Sequence, residues 1–183
     1  MLRPRPNDRR ANHQKIGTAM DATDFKILRI LQNKARIPNV EIARQIKMAP
    51  SAVLERIKKL EARGIIQGYE VRLDPERFHS SLVAFLEIRL KDPSGIKQTG
   101  SDLANIHQIQ EIHYIAGKDC LMVKLRSAGI AELQTILSTQ ITPMKRVQSV
   151  KTHISLCNFK ETAKIALADT APIPPTEKPA KTP

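Results

Sequence analysis

From Pro50 to Arg63 the sequence PSAVLERIKKLEAR gathers hydroxyl, methyl and charged groups on one short segment. Ser51 can bond to many base edges, Ala52 can touch a thymine methyl, and Glu55 can accept from cytosine N4. Pro50 and Leu54 belong to the same leading end. Arg44, Lys47, Arg56, Lys58, Lys59 and Arg63 surround that end, and such cations pair with phosphates, fixing position without reading sequence. An isolated amphipathic helix with Lys and Glu outside is ordinarily just solvated surface. Arg56 has two roles open to it, a phosphate contact or a salt bridge inside its own domain.

The neighbouring elements decide what such a segment can reach. Phe25, Ile27, Leu28 and Leu31 recur at helical spacing behind Asp21 and Asp24, which suit the positive end of a helix dipole. Pro38-Asn39 breaks the chain, and Asn39 is expected to cap a helix over residues 40–46. Lys47-Met48-Ala49 makes a tight turn, and Pro50 fits the first position of the next helix because its missing N–H would be unpaired there. Val53, Ile57 and Leu60 give that helix its inner stripe, and Gly64 ends it. A strand over IIQGYEVRL (residues 65–73) and a linker near Asp74-Pro75 follow. Two helices joined by a turn, with a third in front, make a helix-turn-helix over residues 40–59, whose second helix enters the major groove by its N-terminal residues.

Charge supports that reading. The 183 residues carry a formal net charge of +12, which points to a polyanionic partner. Residues 1–20 contribute +4, residues 21–72 contribute +5, residues 73–166 contribute +3, and the remaining tail is neutral. No apolar run approaches a membrane span, and the charged N-terminus lacks the apolar core of a signal peptide. The two cysteines, Cys120 and Cys157, form no CxxC pair and suit a reducing compartment. The expected setting is therefore soluble, cytoplasmic and nucleoid-associated.

The second half changes rhythm. In LVAFLEIRL (82–90) Leu82, Ala84, Leu86, Ile88 and Leu90 fall on one face at period two. A helix is expected over residues 96–105. EIHYIA and CLMVKL read as strands meeting at Gly117-Lys118-Asp119, and a helix over about 130–139 should bury Ile130, Leu133 and Leu137. VQSVKTHISL alternates Val150, Thr152, Ile154 and Leu156 against polar neighbours. The order β-α-β-β-α-β is the ferredoxin-like arrangement. Its sheet has helices on one face, and the opposite, mixed face carries Val83, Phe85 and Ile115, so a second copy of the chain is the expected cover.

The segment NVEIARQIKMAPSAVLERIKKLEARGIIQGYEVRLDP resembles the DNA-binding domain of the leucine-responsive/asparagine regulator (Lrp/AsnC) family. IAGKDCLMVKL and VKTHISL resemble that family's regulatory domain, and the likeness covers residues 21–159. It implies an α+β protein: an N-terminal winged-type helix-turn-helix domain, then a ferredoxin-like β-α-β-β-α-β regulatory domain. It also implies a transcription factor that acts on double-stranded DNA as a homodimer, often stacked to tetramer or octamer, with a small-molecule effector such as an amino acid between neighbouring dimers. By resemblance the effector site uses Gly117, Lys118, Asp119, Cys120 and Thr152. Asp119 could hold an α-ammonium group and the backbone N–H groups of a Gly turn a carboxylate, while the bland alternative is that Asp119 only completes a tight turn. One departure concerns the turn before the reading helix, where relatives commonly carry Gly-Leu-Ser and this chain has Lys47-Met48-Ala49.

The expected organisation is a disordered basic arm (1–19), a helix-turn-helix domain (20–73), a linker (74–81), a ferredoxin-like domain for ligand binding and oligomerisation (82–167), and a disordered Pro/Lys-rich tail (168–183). Met20 could serve as an alternative start. His13, His79, His107, His113 and His153 show no metal-ligand spacing with the cysteines, so no metal and no cofactor is expected. No phosphate loop, dinucleotide Gly cluster or G-x-S-x-G elbow is present, and an enzyme is not expected. Beside a sequence-specific regulator stand two alternatives, an architectural DNA-compacting protein with weak sequence preference and a small-molecule sensor whose helix-turn-helix serves protein contact.

Overall fold

The computed structural model describes residues 20–167, so the expected basic arm and Pro/Lys-rich tail lie outside the described residues. Two compact units result, one of helices and one built on a sheet.

The helical unit begins with α1 (Ala22–Asn33), opened by a reciprocal capping box. The Asp21 carboxylate accepts from the Asp24 N–H, and the Asp24 carboxylate accepts from the Asp21 N–H. Pro38 (φ −61°, ψ 140°) holds the chain extended before α2 (Asn39–Ile46), and its carbonyl accepts from the N–H groups of Glu41 and Ile42. Asn39 is therefore the first helical residue and not the cap expected of it. Lys47 turns the chain at φ 56°, the left-handed region, before α3 (Pro50–Ala62). Past α3, Gly64 takes φ +68°, and the Ile65 N–H returns to the Leu60 carbonyl. The three helices bury Ile27, Leu31, Ile42, Ala43, Val53, Ile57 and Leu60 against one another.

The expected strand over 65–73 does not form. Ile65 and Ile66 pack on the helical core, and no strand or helix is assigned to residues 67–73. A strand needs a partner for its N–H and C=O groups, and the helical unit offers none. Tyr69 is held instead by its side chain, which donates to Glu61 Oε1 at 2.9 Å. Residues 162–167 also belong to this unit: Ile165 and Gln32 exchange two hydrogen bonds, of 2.7 and 3.1 Å.

The sheet unit runs β1 (Leu82–Leu90), α4 (Ile96–Leu103), β2 (Ile109–Ile115), β3 (Cys120–Ser127), α5 (Ile130–Ile136) and β4 (Val147–Ile154). The strand order is β2-β3-β1-β4, every neighbouring pair antiparallel, which is the expected ferredoxin-like sheet. Ala84, Leu86, Ile88, Leu121, Val123 and Leu125 meet Leu103, Leu133, Ile136 and Ile141 in one core. Ile130 departs from expectation, with 66 % of its surface exposed. It sits on the first turn of α5, whose buried residues are Leu133 and Ile136, and the π-turn that follows (Leu137–Ile141) adds Ile141 to the core. Leu156, expected to continue the inner face of the last strand, lies past its end and is exposed.

Candidate nucleic-acid interface and effector site

Burying Val53, Ile57 and Leu60 of α3 turns the opposite side outward by helical periodicity alone. Pro50, Ser51, Leu54, Glu55, Lys58 and Lys59 are exposed, and Ala52 is half-buried. Arg44 on α2 and Lys47 in the turn are exposed beside them. Ala49 occupies the cap position of α3 and supplies no side-chain acceptor. The first-turn N–H groups of α3 are thus left for an outside acceptor.

The charged residues of this surface are not equivalent. Glu55 and Lys59 pair at 2.7 Å with both side chains about two-thirds exposed, and Lys59 holds the Glu55 carboxyl below its ordinary range. Arg44 grips Glu41 through two hydrogen bonds, of 2.8 and 3.1 Å. Arg44, helped by Gln45, lowers Glu41 to about 2. Both pairs are solvent-screened and open to exchange for phosphate. Arg56 differs, because its Nη1 lies 2.7 Å from Asp21 Oδ2 and 2.8 Å from Asp24 Oδ1. Partial burial pushes the Asp21 carboxyl up, but the Asp24 N–H and the Arg56 guanidinium outweigh it and hold the group below its usual range. Of the two roles open to Arg56, the salt bridge inside the domain is the one present.

The residues expected to hold an effector do not all converge. Gly117 (φ 84°) and Asp119 (φ 49°) shape the β2–β3 turn, and Tyr114 donates its hydroxyl to Asp119 Oδ1 at 2.8 Å. Lys118 reaches Glu87, with Nζ 3.7 Å from Oε2. Cys120 is buried. Thr152 stands on β4 opposite Leu86, whereas Cys120 stands on β3 opposite Arg89. With β1 between them, the two positions are about 10 Å apart across the sheet and about 10 Å along it. A single chain therefore gathers the turn residues and leaves Thr152 aside.

Several groups escaped the sequence reading. Glu87 is buried on the mixed face of the sheet, close to Arg89 and Lys118. A lone acid inside an apolar strand was the available signal. Lys124 and Arg126 both pair with Glu161, which folds back along that face. Cys157, Phe159 and Glu161 border a groove there with Val83, Phe85 and Lys124. This return depends on chain beyond the last strand, where no periodicity marks it.

Residues 20–67 match the family described as winged helix-turn-helix DNA-binding, and residues 83–165 match the Lrp/AsnC ligand binding domain. The leucine-responsive regulatory protein of Haemophilus influenzae is 31 % identical over 151 residues, covering 81 % of this chain and 91 % of that one. The structure of AsnC from Escherichia coli superposes with a TM-score of 0.73 at 25 % identity, covering 83 % of this chain and 99 % of that one. A feast or famine regulatory protein from M. tuberculosis, solved in complex with L-methionine, gives a TM-score of 0.74 at 28 % identity, over 80 % of this chain and 99 % of that one.

Proposed function

The chain belongs to the Lrp/AsnC family of transcription regulators, and on that footing we propose how it reads DNA and senses its effector. The protein is a DNA-binding regulator modulated by a small molecule, and it acts through α3 laid in the major groove. Ser51, Ala52, Leu54 and Glu55 meet base edges there, with Pro50 seating the helix start. Arg44, Lys47, Lys58 and Lys59 take the flanking phosphates, while Arg56 positions α3 against α1 from within the domain. The observation that carries this reading is the outward row Ser51, Leu54, Glu55 and Lys58 on a helix whose opposite stripe is wholly committed to the core.

The effector is an amino acid. Its α-ammonium meets Asp119, its carboxylate meets the backbone N–H groups of the Gly117–Cys120 turn, and a second copy supplies what Thr152 of the same chain is too far away to supply. The working unit is a homodimer covering the mixed sheet face, able to stack into larger rings. Among the described residues no helix is long and apolar enough to cross a membrane. As a regulator acting on DNA, the protein works in the cytoplasm, on the nucleoid.

Selection from a pool of randomised duplexes tests the function. The reading expects a two-fold related consensus, its half-sites separated by whole turns of the double helix. A pool that binds without enriching any sequence would favour an architectural DNA-compacting role instead.

A further inference from the structure

After β4 the chain stays on the sheet unit for a further stretch. The Ser155 N–H donates to the Val83 carbonyl at 2.9 Å, and Asn158 turns the chain by accepting from the Lys160 N–H at 2.9 Å. Glu161, half-buried between exposed neighbours, then meets two cations of β3. Lys124 donates to its Oε1, and Arg126 Nη2 lies 2.6 Å from its Oε2. Both cations also bind groups on β2, Lys124 through Glu111 Oε1 at 3.2 Å and Arg126 through Gln110 Oε1 at 3.0 Å. Glu161 is thereby held by the β2–β3 hairpin, away from its tip. The tip of that same hairpin is the Gly117–Cys120 turn assigned to the effector.

Beyond Glu161 the chain belongs to the helical unit. The Ile165 N–H donates to Gln32 Oε1 at 2.7 Å, the Gln32 amide returns to the Ile165 carbonyl at 3.1 Å, and Lys164 Nζ donates to Asn33 Oδ1 at 2.9 Å. All three bonds fall on the last turn of α1. The start of α1 is fastened to α3 by Arg56. One end of α1 thus carries the reading helix, and the other end carries residues 164–165.

Length decides what this arrangement transmits. Only residues 162–164 separate the two anchorages, and the chain from Glu161 to Ile165 reaches at most about 14 Å. With both ends held, a shift of the hairpin beyond that reach pulls on α1 or releases one end. The other connection, over residues 67–74, is exposed throughout and at full extension about twice as long. It tolerates movement that the shorter connection does not.

We propose that residues 155–167 are a strap through which the effector turn acts on the reading helix: Glu161 latches it to the hairpin, and Ile165 delivers it to α1. Its role presupposes the DNA-binding and effector reading above. Glu161 and Gln32 are positioning residues. The strap has two states, one latched and one in which Glu161 has left Lys124 and Arg126. An effector shifts DNA affinity by binding one of them better than the other.

Three proteins test it: the whole chain, Glu161→Ala, and a chain with Gly-Ser-Gly-Ser inserted between Glu161 and Thr162, which keeps both anchorages and adds slack. Each is titrated against one selected duplex, alone and with the common amino acids added singly at millimolar concentration. The strap predicts that an amino acid altering whole-chain DNA affinity by about 5- to 150-fold alters that of either variant by less than about twofold, while its own binding persists as a thermal shift. An inserted chain that responds like the whole chain overturns the strap and leaves the regulator reading standing. Amide exchange supplies a readout free of effector and DNA. Glu161→Ala should speed exchange of the Ile165 N–H, across the junction in the other unit, at least about tenfold, and an unchanged rate overturns the latch. If no amino acid alters DNA binding by the whole chain, the effector reading falls, and amide exchange alone decides the strap.

Discussion

Arg56 of α3 donates to Asp21 Oδ2 at 2.7 Å, so the reading helix is fastened to the residue that caps α1. Asp24 joins the same guanidinium at 2.8 Å, with 12 % of its side chain exposed. Removing Arg56 would leave that carboxylate partly buried without its cation. The Arg56→Ala variant should therefore lose about 1–3 kcal/mol of unfolding free energy in urea. Asp21 titrates below its ordinary value when folded. A depressed carboxylate stabilises the fold above its unfolded value near pH 4, and the gain fades as pH falls through the lower folded value. The gap between wild type and Arg56→Ala should thus narrow below about pH 4. A gap that persists unchanged to pH 2 would show that the pair contributes little.

Lys47 is a non-glycine residue at φ 56°, where its Cβ crowds the following carbonyl. Lys47→Gly should raise stability by about 1 kcal/mol while weakening DNA binding and lowering the salt slope by about 1. The two effects have opposite sign, so urea melts and salt titrations of one variant separate them. Weaker DNA binding with an unchanged salt slope would remove Lys47 from the phosphate contacts.

Ala49 caps α3 with no side-chain acceptor. Ala49→Ser should add about 1 kcal/mol by accepting from a first-turn N–H. Chemical denaturation measures this directly. An unchanged midpoint would mean that the N–H groups of that turn are already satisfied by solvent.

Asp119 accepts from Tyr114 at 2.8 Å in a left-handed turn that asparagine also tolerates. Asp119→Asn should keep the fold and the DNA affinity but abolish the effector response. A panel of the common amino acids, read as thermal shifts of the wild type, identifies the ligand first. If Asp119→Asn still responds to that amino acid, Asp119 is only a turn residue.

What the sequence made legible was local. Val53, Ile57 and Leu60 repeat at helical spacing, so the outward face of α3 follows without any knowledge of the rest of the chain. Period two in residues 82–90 likewise placed Ala84, Leu86 and Ile88 inside. Failures began where a neighbour decides. Residues 65–73 have strand composition but no strand to pair with, and Ile130 stays exposed while Leu133, Ile136 and Ile141 enter the core. Asn39 resembled a cap until the geometry of Pro38 took that position. Thr152 and the Gly117 turn sit two strands apart, which only the order β2-β3-β1-β4 discloses.

The central claim is that the leading end of α3 reads bases. Wild type, Ser51→Ala and Glu55→Gln are to be titrated against labelled DNA from upstream of the chain's own gene, with excess unrelated DNA present, at near-physiological salt. The account predicts that wild-type binding survives competition, that each variant loses roughly 1–3 kcal/mol on that DNA, and that binding to unrelated DNA changes little. Equal affinity of all three proteins for specific and unrelated DNA would contradict it.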